Sequence, residues 1–227
     1  MKFNKLIYDV REATKEYMDD TEVSNRYIKY LLNIKRAKYL RQELNNAQRT
    51  TDSTTVQTLT VNLEEVDSSD CGLKGVCDKV MRSCKKLPDP LALHTKNGIT
   101  RIAALDKMSK PFNFVTREKA IYAQDAPFPN SIYSFLHDDG YLYVISKNAA
   151  LVFLECISVT GIWEDPSDLS RFDVCCSCKE TTEACFTDES DYPLQPHLID
   201  SVRKEVIAEL IQMKQIPEDK VNDGEDQ

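Results

Sequence analysis

Ser131-Ile132-Tyr133-Ser134-Phe135-Leu136-His137-Asp138-Asp139-Gly140-Tyr141-Leu142-Tyr143-Val144-Ile145-Ser146 decides the fold class. Two runs rich in aromatic and β-branched residues flank a polar turn, and Gly140 can adopt the positive φ such a turn requires. This is a β-hairpin. Leu151 to Trp163 continues as a third strand-like run, so 131–163 reads as an antiparallel meander. Trp163, ahead of Glu164-Asp165-Pro166, is expected to end its strand against the core. Upstream, Leu59, Val61 and Leu63 alternate with Thr60, Asn62 and Glu64, the period of a strand with one wet face. Pro111 to Ala123 reads as a strand followed by a short helix capped by Thr116.

Both ends of the chain change to helical period. Phe3, Leu6, Ile7, Val10, Ala13 and Tyr17 share one face of a first helix. Ser24 or Asn25 can cap a second, about 23–46, with Tyr27, Leu31, Ile34, Ala37, Leu40 and Leu44 toward the core. The acidic turn between them makes a helical hairpin. At the other end Ile199, Val202, Val206, Leu210 and Met213 form an apolar stripe, with Pro196 in the first turn and Pro217 as the stop. Segregated elements of this kind indicate an α+β fold. It comprises an N-terminal helical hairpin (1–49), a central antiparallel β-rich body (50–190), and a C-terminal amphipathic helix with an acidic tail (191–227).

Charge is unevenly distributed along a chain whose net charge is −8. Residues 1–49 hold 11 Lys/Arg against 7 Asp/Glu, while residues 155–227 hold 6 against 18. The net negative charge argues against general nucleic-acid binding. Opposite ends could pair head to tail between subunits, or remain two solvated faces. No export signal and no membrane-length apolar run is read, so a soluble chain is expected. With 6 glycines and no glycine-rich phosphate loop, nucleotide motifs are absent.

Candidate chemistry is sparse. Cys71, Cys77 and Cys84 form one group, Cys175, Cys176, Cys178 and Cys185 a second, and Cys156 reads as a buried small hydrophobe. The second group could clamp zinc, with His197 or the first group completing the site, but its spacing departs from paired zinc motifs. Reduced thiols and disulfides are the other readings. His94, His137 and His197 read as solvated or capping residues, and Asp138-Asp139 as a turn. No catalytic constellation, and hence no enzyme, is expected.

Several segments then match a known family in order. They are Thr21-Glu22-Val23-Ser24-Asn25-Arg26-Tyr27-Ile28, Arg36-Ala37-Lys38-Tyr39-Leu40-Arg41-Gln42-Glu43-Leu44, Gln57-Thr58-Leu59, and Cys84-Lys85-Lys86-Leu87-Pro88-Asp89-Pro90. Asp139-Gly140-Tyr141-Leu142-Tyr143, Trp163-Glu164-Asp165-Pro166, Tyr192-Pro193-Leu194 and Asp219-Lys220-Val221-Asn222-Asp223 complete the series. Over nearly its whole length the chain resembles the ring, or collar, structural proteins of crAss-like tailed bacteriophages. The resemblance implies a virion protein, made in the host cytoplasm and built into the neck, with no cofactor and no membrane. It also implies a homo-oligomeric, dodecameric ring that connects the portal to the tail, meets other ring, tail or muzzle proteins, and lets genome DNA pass without specific binding.

The two N-terminal helices are then expected to engage a neighbouring ring or the portal, and the 196–215 helix an adjacent subunit. The interface residues on this reading are Tyr27, Leu31, Arg36, Lys38, Arg41, Tyr192, Pro193, Ile199, Val202, Val206 and Leu210. The alternative is a cytosolic zinc-stapled regulatory or nucleic-acid-binding module using Cys175, Cys176, Cys178, Cys185 and the basic second helix.

Overall fold

The computed structural model describes residues 1–15, 17, 23–46, 52–67, 80–94, 97–105, 110–123, 131–146, 154–172 and 186–215. The helices are α1 (Phe3–Lys15), α2 (Asn25–Leu44), α3 (Arg117–Ala120) and α4 (Pro196–Gln215). The strands are β1 (Gln57–Val66), β2 (Val80–Ser83), β3 (Ile99–Ala104), β4 (Asn113–Phe114), β5 (Ile132–Leu136), β6 (Leu142–Ser146) and β7 (Cys156–Gly161). The fold is α+β. It divides into two compact units, Met1–Leu40 with Asp188–Gln227, and Arg41–Thr187.

The second unit is built on one seven-stranded sheet, in the order β3-β7-β1-β2-β6-β5-β4. The alternation at Leu59, Val61 and Leu63 produces β1, which is long enough to serve two partners. Gln57 to Asn62 pair antiparallel with β7, and Leu63 to Val66 pair antiparallel with β2. β4 lies parallel to β5. The Phe112 N–H, just ahead of β4, donates to the Ile102 carbonyl of β3 at 2.7 Å, drawing the two edges of the sheet together.

The β5–β6 hairpin forms as expected, and Gly140 turns it with φ +82°. The expected meander does not form. β6 pairs with β2, and β7 inserts between β3 and β1. Long-range burial explains this: Ile157 and Val159 of β7 sit beside Val61 and Leu59 of β1, and Val159 also faces Ile102 of β3. All five are buried. On the sheet's other face, Val80, Phe135, Tyr143 and Ile145 cluster under Ala120 of α3, with Phe135 and Tyr143 stacked at 5.3 Å. Trp163 is fully buried just past β7, as its position in the sequence suggested.

The first unit joins the two chain ends. Ser24 caps α2, accepting the Tyr27 N–H at 3.3 Å. α1 has its leading donors satisfied from the far end of the sequence: Phe3 N–H reaches the Ser190 carbonyl at 3.1 Å and Asn4 N–H the Asp188 carbonyl at 2.9 Å. Tyr192 then wedges in. Its ring stacks on Phe3 at 4.8 Å, and its hydroxyl donates to the Leu32 carbonyl at 2.9 Å. The fully buried Arg36 directs Nε to the Pro193 carbonyl at 2.8 Å. α4 packs on α1 and buries Ile199, Val202, Val206 and Leu210.

Charges at the two ends also meet inside this unit. Lys35 pairs with Glu209 at 2.5 Å and with Glu205 at 3.1 Å; Lys38 pairs with Glu205 at 2.6 Å, and Lys29 with Asp188 at 2.5 Å. The Lys38 bond, joined by those from Lys35 and Tyr39, holds the Glu205 carboxyl below its ordinary value of 4.5 against the opposing effect of burial. Bonds to Glu209 and Glu205 raise Lys35 above its ordinary 10.5. A depressed carboxyl stabilises the fold above its unfolded pKa and loses that contribution as pH falls through the folded value. A raised lysine loses its contribution only as pH rises above 10.5. Both contributions are therefore intact at neutral pH.

Two substitutions probe these features. A Cβ at Gly98 lies 2.5 Å from the Ile162 carbonyl and 2.7 Å from the Leu91 nitrogen, both backbone, so neither can swing away. Gly98→Ala is expected to lower the unfolding free energy by about 1–3 kcal/mol, read from urea titration. Glu205→Gln is expected to cost about 1 kcal/mol at pH 7, allowing for the solvent that reaches the pair. The deficit relative to wild type should shrink as pH falls below 4.5 and wild-type Glu205 takes up its own proton. A deficit that stays constant with pH would remove the electrostatic account.

Candidate assembly surfaces

Most residues expected at interfaces are inside the chain's own fold. Leu31, Arg36, Tyr192, Pro193, Ile199, Val202, Val206 and Leu210 are buried. The apolar stripe of α4, apart from Met213, is covered within the fold, which withdraws it from the surface of the folded chain. Tyr27, Lys38 and Arg41 remain accessible. Tyr27 donates its hydroxyl to Met213 Sδ at 3.0 Å, Lys38 holds Glu205, and Arg41, in the second unit, pairs with Glu164.

The exposed apolar residues are others. On α2, Tyr30 is 58% and Ile34 43% exposed. Ile34 was expected in the core. Instead Ile28, Leu32 and Arg36, spaced by four, share the buried side with Leu31 and Leu40. This alternative stripe was present in the sequence, but its arginine disguised it. Tyr27 and Tyr30 stack at 6.3 Å, and the exposed Met213 of α4 adjoins Tyr27. The first unit thus carries a stripe running Met213, Tyr27, Tyr30, Ile34.

In the second unit the exposed apolar residues include Phe114, Ile121 at 49% and Tyr122 at 68%. Ala120 turns into the core and Val115 packs against the same cluster, which leaves Ile121 and Tyr122 outside. Two open clefts share Phe114 and Asn97. One, of about 530 Å³, reaches along Val115 to Lys119 and to Leu136 and His137; the other, of about 400 Å³, reaches Leu93, Gly98 and Ile162. Thr116 occupies the cap position of α3 without bonding a backbone N–H. The Glu118 carboxylate is held below its usual range by its own backbone N–H and then by the Thr116 hydroxyl.

A polar cluster beside the hairpin has acid–base components but a structural arrangement. Tyr143 donates to Asp139 at 3.0 Å, Asp139 accepts the Tyr141 N–H at 2.8 Å, and Arg82 bonds Glu64 at 2.6 Å while lying 4.8 Å over the Tyr141 ring. Burial, then Asp139, pushes the Tyr143 hydroxyl up to about 12, so it keeps its proton at neutral pH and holds the turn. His137 accepts the Asp139 N–H at 3.3 Å, the turn role expected of it. His94 bonds Asn45 through its backbone. Cys156 is buried and directs its thiol to Asn62 Oδ1 at 3.3 Å.

Among the described residues, no group of three or more His, Cys, Asp or Glu is placed to hold a metal. Cys175, Cys176, Cys178 and Cys185 lie outside the described residues. No described helix is long and apolar enough to cross a membrane.

Comparison with known proteins supplies the context for these surfaces. The model of a family described as phage tail ring protein 2 matches residues 5–227. Ring protein 2 of Bacteroides phage crAss001 is 26% identical over 228 residues, covering 100% of this chain and 97% of that protein. With a match of that extent, the chain belongs to the phage tail ring protein 2 family of crAss-like phages.

Proposed function

We propose that this protein forms a homo-oligomeric ring in the phage neck, between portal and tail, through which genome DNA passes. The observation that carries the reading is the match to ring protein 2 along nearly the whole chain, which leaves little sequence over for a different activity. The electrostatics agree with a passive channel component. The chain carries −8 overall, and several cations of the basic helix α2 are already paired with carboxylates of the same unit. Phosphate contacts need unpaired positive surface, so DNA slides past such a protein more readily than it binds. The reading is of a packing protein without catalysis; Tyr143 and its neighbours serve the hairpin.

Light scattering of the purified chain, alone and mixed with the portal of the same phage, tests the assignment. A complex of fixed stoichiometry, formed chiefly with portal present, is the expected result. A monomer that ignores the portal at every concentration overturns it. Mobility shifts with duplex DNA at about 150 mM salt should show no complex, since a chain of net charge −8 is repelled by the phosphate backbone.

A further inference from the structure

We propose that the acidic segment 218–226 folds back on its own chain and seats carboxylates in a basic pocket between α1 and α2. The contact lies within the first unit of a single chain, so it stands or falls independently of the ring reading. α1 and α2 are basic helices, with 9 Lys/Arg against 3 Asp/Glu. Midway along α2 the excess is met by α4, where Glu205 and Glu209 hold Lys35 and Lys38.

Toward the N-terminal end of α2 the supply of carboxylates runs short. Asn4, Tyr8 and Arg11 of α1 and Asn25 and Lys29 of α2 line an open pocket of about 200 Å³. Asp188 supplies the carboxylate of the lining and is already held by Lys29 at 2.5 Å. Arg26 stands exposed one turn from Lys29 and, like Arg11, pairs with no carboxylate among the described residues. Arg11 decides the chemistry. Its Nε is buried and bonds to nothing among the described residues, while its guanidinium carbon lies 5.7 Å over the Tyr8 ring. Neutralising the charge is then left to the terminal nitrogens, whose planar fork matches a carboxylate.

The course of α4 selects the occupant. Glu205 meets Lys38, Glu209 meets Lys35, and Met213 Sδ accepts the Tyr27 hydroxyl at 3.0 Å, so α4 runs antiparallel to α2. The chain therefore leaves Gln215 heading for the Asn25 end of α2, where the pocket opens. Residues 216–227 carry Glu218, Asp219, Asp223, Glu225 and Asp226 against Lys220 alone. The extended chain from Gln215 to Asp223 spans roughly 27 Å, about twice the width of the helix it has to round. A tether this short gives an effective concentration of the order of millimolar, so a weak contact with its own chain outcompetes a free acidic partner.

Zero-length carbodiimide coupling of the full chain, with unlabelled and heavy-nitrogen-labelled protein mixed in equal amounts, tests the assignment by mass spectrometry. The expected products are amides between Lys29 Nζ and Asp223, Glu225 or Asp226, each joining peptides of one isotope. Coupling of Lys29 to Asp188 serves as the internal control. Arg11→Gln combined with Arg26→Gln should cut the yield of the tail products about threefold or more, with the control coupling and the urea midpoint kept. Arg26→Gln alone, at an exposed position, carries the same test with a smaller loss should the double variant fold poorly. Products of mixed isotope assign the segment to a neighbouring copy and overturn the inference. Coupling of Lys29 to Asp188 alone, or to Glu16, Asp19, Asp20 or Glu22 in place of the tail, overturns it too. A tail yield that ignores both substitutions in folded protein does the same.

Discussion

The first unit depends on Tyr192. Its ring, hydroxyl and backbone N–H hold Phe3, the Leu32 carbonyl and the Met1 carbonyl together, so one residue near the end of the chain fastens both N-terminal helices. Bringing ends separated by almost the whole sequence together costs entropy that grows only as the logarithm of the loop, on the order of 5 kcal/mol here. Each fully buried large apolar side chain offsets about 1.5–3 kcal/mol, and Tyr192, Leu194, Val202, Val206 and Leu210 are all at or close to full burial. Apolar burial therefore outweighs closure, and the ion pairs of Lys35 and Lys38 refine an arrangement that packing already favours. Arg36 has a different role. With its charge fully inside, its stability rests on acceptors such as the Pro193 carbonyl, which ties the course of 192–194 to the register of α2.

Local signals in the sequence were read correctly where the physics is local. The β5–β6 turn, the period of β1, the cap at Ser24 and the start of α4 each depend on residues within one or two turns of one another. Pairing partners are different. Nothing in Cys156–Gly161 states that it will lie between β1 and β3, because alternation specifies a face and leaves the neighbour open. The amphipathic stripe of α4 has the same limit: apolar residues at helical spacing require a cover, and for Ile199, Val202, Val206 and Leu210, though not Met213, the cover proved to lie in the chain's own fold. Ile34 and Ile28 compete for the core on similar hydrophobicity. Arg36, one of the least expected core residues, joins the Ile28 stripe because a backbone carbonyl 157 positions away receives it.

Covering α4 internally changes what assembly can draw on. A subunit that still had to dock this helix on a neighbour would expose a large apolar face until the ring closed, a liability for a chain produced in many copies. With that face buried, each unit can fold first, and the driving force for association falls to a few exposed aromatic and aliphatic side chains. Such contacts are individually modest, since a few anchors usually dominate an interface. A closed ring compensates by geometry. Each added subunit engages two neighbours at the final step, and intramolecular closure raises effective concentration well above that of free subunits. Weak single contacts and a strong closed assembly are thus compatible.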